Sequence, residues 1–265
     1  MYKLKTFMEE DFSNIFNVLK IAGNAIIKIY HTGNEFFETK LKSDHSPVTL
    51  ADITANNIIC KSLVEMYPEI PVISEESDII PYDQRKSWAY VWLLDPLDGT
   101  KEFINKTDEF SINLALIKNG IPVAGFVYLP VFESLYYAIK GKGAFETKNG
   151  TTIKLSSSSL TLDQHGLRVV ASRNHMDTRT KAYIDVLNAP QIISMGGAMK
   201  FISIAKGEAD YYPRMIHIME WDTAAGQIII EEAGGSLVDS VTGLPLRYNK
   251  ESMLNPTFIA TGKII

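Results

Sequence analysis

The chain has 265 residues, 46% hydrophobic and 22% charged, with a formal net charge of -5. That length carries a large buried core, and an acidic balance without a basic block excludes the electrostatic footprint of a duplex-binding protein. Cys60, the single cysteine, excludes an intrachain disulfide, and no stretch approaches the roughly eighteen apolar residues of a membrane span.

Met1-Tyr2-Lys3-Leu4-Lys5 leads into no apolar signal segment, which sets the expectation of a cytoplasmic protein. From Asp11 to Tyr30 the apolar residues Phe12, Ile15, Phe16, Leu19, Ile26 and Ile29 keep helical spacing, with Gly33 as the stop. A second helix is predicted from Ala51 to Met66, closed by Pro68, and Pro71-Val72-Ile73-Ser74 reads as a short strand ending in Glu75-Glu76. Val91 to Leu94 reads as a buried strand that Pro96 stops, with Gly99 turning the chain into a helix near Thr100. Phe110 to Ile117, Val123 to Leu129 and Leu135 to Ile139 read as successive antiparallel strands, with Asn119-Gly120, Pro130 and Gly141-Lys142-Gly143 as punctuation. The serine run Ser156 to Ser159 reads as a linker and places a boundary between a part spanning 1–155 and a part spanning 156–265, within one compact unit. The second part offers a strand at Arg168 to Ala171, a helix near Asp177 to Leu187 and a strand at Ile192-Ile193. A helix starting around Gly197 follows, and a last one runs from Thr223 to Glu232, ended by Gly234-Gly235. The expected fold class is mixed α/β, with helices covering sheets in layers.

Glu75, Asp95, Asp98 and Asp222 each close a strand or open a helix instead of decorating a solvated face, so together they could hold magnesium, with the Leu97 carbonyl completing the shell. The run Trp92-Leu93-Leu94-Asp95-Pro96-Leu97-Asp98-Gly99-Thr100 puts two of these acids beside a helix N-terminus, where backbone N–H groups attract phosphate oxygens. Asp222 reads equally well as a cap of the last helix. The histidines His31, His45, His165, His175 and His217 show no zinc-binding spacing. Met215, Ile216, Ile218 and Met219 read as packing residues between Arg214 and Asp222.

The segments Ser46-Pro47-Val48-Thr49-Leu50-Ala51-Asp52, Ile73-Ser74-Glu75-Glu76-Ser77, Asp95 to Phe103 and Trp221-Asp222-Thr223-Ala224-Ala225-Gly226 resemble, in order and spacing, the signature blocks of the inositol monophosphatase superfamily. Lys101-Glu102-Phe103, with Met199-Lys200-Phe201 and Tyr212-Pro213-Arg214 downstream, is similar to its CysQ-type 3′(2′),5′-bisphosphate nucleotidases. The resemblance implies an α-β-α-β-α layered fold and Mg²⁺-dependent hydrolysis of a phosphomonoester, often inhibited by lithium. It implies that Glu75, Asp95, Asp98, Asp222 and the Leu97 carbonyl bind two or three Mg²⁺, with Glu75 counted in the catalytic set. It further implies that Gly99 and Thr100 meet the phosphate alongside Leu97, Asp98 and Asp222, and that Asp52 and Thr100 orient the attacking water. For Asp52 an N-cap role in its helix is the alternative. Lys200 and Arg214 match the positions that approach a phosphate not being hydrolysed, and His175 a position that stacks on adenine. The chain departs from eukaryotic nucleotidases at Gly197, where those carry serine. The implied substrate is a small-molecule nucleotide, adenosine 3′,5′-bisphosphate, with no nucleic acid polymer and no integral membrane association; a homodimer is compatible with the sequence. An inositol monophosphatase or sugar-bisphosphate phosphatase is the nearest rival, and a non-catalytic nucleotide sensor is a reading of another class.

Overall fold

A computed structural model describes residues 12–32, 40, 41, 47–172 and 177–265. Gly33, His45, Ser46 and His175, singled out above, lie outside the described residues.

Helix α1 (Ser13–His31) buries Ile15, Leu19, Ala22, Ile26 and Tyr30, the stripe that helical spacing dictates. A short antiparallel pair, β1 (Lys40–Leu41) and β2 (Pro47–Val48), precedes α2 (Leu50–Met66), which buries Ala51, Ala55, Ile59 and Leu63, one per turn. After α2 come β3 (Val72–Ser74), the short helix α3 (Tyr82–Arg85), β4 (Tyr90–Asp98) and the short helix α4 (Thr100–Ile104). The strands β5 (Ser111–Lys118), β6 (Ile121–Leu129), β7 (Ser134–Ile139), β8 (Gly143–Lys148) and β9 (Thr151–Lys154) then form a meander. Together they make a seven-stranded sheet, β3-β4-β5-β6-β7-β8-β9, in which β3 runs parallel to β4 and the other pairs are antiparallel. The predicted antiparallel order of β5, β6 and β7 is observed. Gly143, read as punctuation, instead opens β8, a strand whose half-exposed face carries too few apolar residues to stand out.

The second sheet collects β11 (Arg168–Ser172), β12 (Gln191–Met195), β13 (Tyr211–Arg214), β14 (Ser236–Asp239) and β15 (Phe258–Thr261) in the order β12-β11-β13-β15-β14. Helices α5 (Thr178–Asp185), α6 (Met199–Ala205) and α7 (Glu220–Glu232) belong to this part. The serine run is not a free linker: the Ser157 N–H donates to the Ala233 carbonyl, and β10 (Ser159–Leu160) pairs in parallel with β16 (Lys263–Ile264).

The period of two along the strands decides which layer each side chain meets. Trp92 and Leu94 of β4 and Leu114 and Leu116 of β5 pack against α1 and α2. Val91 and Leu93, with Ala115 and Ile117, face α6 and α7, which also receive Val170, Tyr212 and Phe258 from the second sheet. Val169, Ala171 and Tyr211 point the other way, onto Ile184 of α5. The layers are therefore α1/α2, first sheet, α6/α7, second sheet, α5, the expected α-β-α-β-α order. Covered on both sides, α7 is buried nearly all round, with Trp221, Ala224, Ala225, Ile228, Ile229 and Ile230 in the core beside buried Glu220, Thr223 and Gln227. Each Leu- or Ile-sized side chain so buried contributes about 1.5–3 kcal/mol. Among the described residues no helix is long and apolar enough to cross a membrane.

Candidate active site

Pro96 does not end its strand. Strand β4 continues to Asp98, and its register against β5 passes from Asp95 opposite Asn113 to Asp98 opposite Ser111, so one extra residue bulges out. A bulge is where a strand tolerates a proline, which offers no N–H to the ladder. The extra residue has a consequence for direction. Residues three apart on a regular strand face opposite sides, whereas here Asp95 and Asp98 line the same cavity. At the other end of the turn Gly99 adopts φ 92°, and a Cβ there would lie 2.8 Å from the Glu109 carbonyl oxygen, so only glycine closes this corner without strain.

Three elements bring acids to that turn. The Glu75 N–H donates to the Leu94 carbonyl at 3.1 Å, which sets Glu75 beside Asp95 at the end of the parallel β3–β4 pair. Asp222 arrives on the first turn of α7, where its Oδ2 accepts the Met219 N–H at 2.8 Å. The N-cap of α7 is Met219, and Asp222, at the third helical position, joins the capping box while its carboxylate also lines the cavity, so the capping reading and the cavity reading are geometrically compatible. One carboxylate oxygen from each of Glu75, Asp95 and Asp222 lies within 4.8 Å of the others. Asp98 stands next to this triad: its Oδ2 accepts from Asn113 Nδ2 at 3.2 Å, and Ser111 Oγ in turn donates to Asn113 Oδ1 at 2.9 Å. Asn113 and Ser111 are site residues that sequence reading missed, since two polar residues in an apolar strand look like a weakness of the strand until their partner is known.

Burial, reinforced by the charges of Glu75, Asp98 and Asp222, pushes Asp95 well above the usual carboxylate range. Burial likewise raises Asp222, with Asp98 and Glu75 adding to the effect. Asp98 is raised by burial too, although Lys200 and Asn113 pull it back. Buried like charges at this separation must share protons or hold a cation. A donor set of carboxylates and carbonyls, with no His or Cys among the cavity-lining residues, fits a hard ion such as Mg²⁺ better than zinc.

Asp52 is not the N-cap of α2. Thr49 is, and Asp52 at the third helical position accepts both the Thr49 N–H (2.7 Å) and the Thr49 hydroxyl (2.5 Å) on Oδ2. Its other oxygen, Oδ1, lies 3.1 Å from Thr100 Oγ1, which is also 3.2 Å from the Leu97 carbonyl. Burial raises Asp52 above its ordinary value against the hydrogen bonds from Thr49 and Thr100. The pair named at the sequence level is therefore in contact across 48 residues of chain.

Lys200 and Arg214 line the same cavity, about 300 Å³ in volume, with Ser172, Phe201, Tyr212 and Ile218. Both cations are buried, a rare state for charged side chains. Lys200 Nζ donates to the carbonyls of Gly197 (2.6 Å) and Met195 (3.4 Å), and burial pulls its ammonium down to about 8 against the opposing pull of Asp98. Among the described residues the buried Arg214 Nε has no hydrogen-bond partner, which leaves part of its fork for an incoming acceptor. The helix carrying Lys200 starts at Met199, not Gly197, which has φ 48° and ends the loop before it.

The apolar interval before Asp222 packs as expected: Met215 is buried, and Ile218 and Met219 lie against the central core. Asn255 clamps it. Its Nδ2 donates to the Met219 carbonyl (3.0 Å) and to Thr223 Oγ1 (2.7 Å), its N–H donates to the Ile218 carbonyl, and its own carbonyl lies 2.7 Å from His217 Nδ1. Cys60 is half-buried, donates to Asn56 Oδ1, and has its thiol pushed up to about 11 by burial, so it is a packing residue.

Residues 8–263 match the inositol monophosphatase family. The chain is 42% identical to the 3′(2′),5′-bisphosphate nucleotidase CysQ of Salmonella typhimurium strain LT2, over 91% of this chain and 95% of that protein. It is 41% identical to the CysQ nucleotidase of Escherichia coli strain K12, over 89% and 94% of the two chains. The crystal structure of CysQ from Bacteroides thetaiotaomicron, a bacterial member of the inositol monophosphatase family, superimposes with a TM-score of 0.79 at 37% identity, covering 92% of this chain and 94% of that one. With its signature blocks converging on one acidic cavity between two sheets, this chain belongs to the inositol monophosphatase family.

Proposed function

We propose that the protein is a Mg²⁺-dependent 3′(2′),5′-bisphosphate nucleotidase that hydrolyses adenosine 3′,5′-bisphosphate to AMP and phosphate. The observation that carries this reading is the pairing, in one cavity, of a buried acidic cluster with two buried cations, Lys200 and Arg214. An acidic cluster alone suits any phosphomonoester held through metal. A second, cationic pole suits a substrate with a second phosphate, and Arg214 has the planar fork for it. The identity to named CysQ nucleotidases supports the same substrate.

Glu75, Asp95, Asp98, Asp222 and the Leu97 carbonyl are the groups that would hold two or three Mg²⁺. When bound, the metal supplies Lewis acidity and lowers the pKa of water near the phosphorus. The residues of the chain do the rest. Thr100 Oγ1, with its proton directed to Asp52 Oδ1, keeps a lone pair free to accept a hydrogen bond from the attacking water. Asp52, held rigid by Thr49, fixes that hydroxyl and receives the proton that the water gives up through it. The Gly99 turn and the start of α4 would offer backbone N–H groups to the phosphate. Lys200 and Arg214 grip the 5′-phosphate and so present the 3′-phosphate to the acids. We further propose that the parts spanning 1–155 and 156–265 act as two subdomains that close this cavity between them.

Phosphate release from adenosine 3′,5′-bisphosphate, inositol 1-phosphate and fructose 1,6-bisphosphate, each with Mg²⁺ and with EDTA, tests the reading. The expected result is selective release from the nucleotide, abolished by EDTA and reduced more than about a thousandfold in D95N, a loss equivalent to several kcal/mol of barrier. Near-normal Mg²⁺-dependent turnover by D95N contradicts the assignment, as does preference for either sugar phosphate. Nucleotide binding without phosphate release would favour a sensor.

A further inference from the structure

The segment joining α4 to β5 is fixed more tightly than a connection needs. Lys106 (φ 57°) and Asp108 (φ 66°) are non-glycine residues in the left-handed region, a conformation that persists only where the surroundings impose it. Tyr30, at the end of α1, imposes it. Its hydroxyl donates to Asp108 Oδ1 at 2.7 Å, while the Lys106 ammonium lies 3.9 Å from its ring centroid and donates to its carbonyl.

This pinned segment delivers Glu109 against two parts of the cavity wall. Its Oε2 accepts the Gly196 N–H at 2.8 Å, a charge-assisted bond to the loop that precedes Lys200. Its carbonyl oxygen lies so near the Gly99 and Gly197 backbones that a Cβ on them would come within 2.8 and 3.1 Å of it. On the other flank, a Cβ on Gly196 would meet Glu102 Cγ at 2.6 Å, so the loop is wedged between two acidic side chains. The Gly197 carbonyl then accepts from Lys200 Nζ at 2.6 Å. A continuous set of contacts thus runs from Tyr30 through Glu109 and Gly196-Gly197 to the Lys200 ammonium. The negative charges of Glu102 and Glu109 also help Lys200 keep its proton.

We propose that Glu109 is a positioning residue for substrate selection: by holding the Gly196-Gly197 loop against the Gly99 turn, it sets the distance between the Lys200 ammonium and the acidic cluster, and with it the preference for bisphosphates over monophosphates. The inference rests on the reading above in which Lys200 and Arg214 take the second phosphate.

Steady-state kinetics on adenosine 3′,5′-bisphosphate and adenosine 3′-monophosphate test it. Glu109→Ala is expected to lower the ratio of kcat/KM for the bisphosphate to that for the monophosphate by about tenfold, the size of one hydrogen bond to a charged group, with the loss in KM and not in kcat. Glu109→Gln, whose amide oxygen still accepts the Gly196 N–H, is expected to recover most of it. Equal losses on the two substrates, a loss carried by kcat, or no loss overturns the assignment. Should circular dichroism show that Glu109→Ala does not fold, Glu109→Asp, one methylene short of Gly196, is judged by the same ratio. Lys200→Ala separates the two levels of inference. If it fails to discriminate between the substrates, the reading of the second-phosphate site is wrong; if it discriminates and the Glu109 variants do not, the Glu109 assignment alone falls.

Discussion

Thr100 shows how much a single hydroxyl can be asked to do. Its Oγ1 sits 3.1 Å from a buried carboxylate and 3.2 Å from a backbone carbonyl, so its proton is engaged there while the residue lines the cavity. In the proposed reaction Thr100→Ala removes the group that orients the water while leaving the metal ligands and the cationic pole intact. We expect kcat to fall by about 10²–10³, in the range of lost general-base assistance, with KM little altered and with most of the activity retained in Thr100→Ser. A kinetic comparison of the three proteins decides this; a Thr100→Ala enzyme with unchanged kcat would remove the Asp52–Thr100 pair from the mechanism. The acidic residues teach a related point. Asp52 and Asp222 occupy the same position in the capping boxes of their helices; Asp52 turns Oδ2 to the Thr49 N–H and Oδ1 to Thr100, and Asp222, whose Oδ2 accepts the Met219 N–H, also lines the cavity. A capping contact and a place in the cavity are not alternatives when a carboxylate has two oxygens.

At the scale of elements, the site depends on how closely α7 approaches the first sheet. Gly125 of β6 makes this approach possible: a Cβ there would stand 2.5 Å from Ile228 Cγ2 and 2.9 Å from the Ala225 carbonyl oxygen. The carbonyl belongs to a helix backbone and cannot turn aside, so the helix itself must shift. Gly125→Ala is therefore expected to destabilise the protein by about 1–3 kcal/mol, the usual cost of overpacking, and to weaken Mg²⁺ activation because Asp222 rides on α7. Urea denaturation and a Mg²⁺ titration of activity measure the two effects. Stability lost with the Mg²⁺ titration unchanged would mean that Asp222 holds its place independently of the helix packing. The bulge in β4 is the second such device, converting a spacing of three into two carboxylates on one side of a strand.

For the whole molecule, the acidic cluster ties stability to pH and to metal. Asp95, Asp98 and Asp222 all titrate above their unfolded values, so over the window from about pH 4 upward the folded chain holds protons that the unfolded chain has released. Stability then falls as pH rises through that window. In EDTA the Tm is expected to be higher at about pH 5, just above the unfolded carboxylate range, than at about pH 8, and added Mg²⁺, binding only the folded form, is expected to raise Tm most at the alkaline end. Differential scanning calorimetry at the two pH values, with and without Mg²⁺, provides the measurement. A metal-free Tm that climbs with pH would show that the carboxylates are not packed together as described.

Much of this was legible in the chain itself. The apolar runs of β5 and β6 between turn residues, period-3.6 spacing in α1, and the acids at strand ends are local properties that each segment carries alone, and so is the Gly99 corner. The strands β13, β14 and β15 were not, because their burial comes from elements distant in sequence, nor was β8, whose half-exposed face carries few apolar residues. Pro96 was misjudged as a stop, since only pairing with β5 reveals that a bulge absorbs it. Sequence by itself determined the main helices and the strands β4 to β7, the candidate ligands and the family resemblance, because these depend on residue chemistry and short spacings. Tertiary structure alone decided that Glu75 and Asp222 stand beside Asp95, that Asn113 holds Asp98, and that Glu109 reaches Gly196. Those are contacts between segments from 15 to about 150 residues apart, and only the stacking of two sheets around α6 and α7 brings their ends to one place.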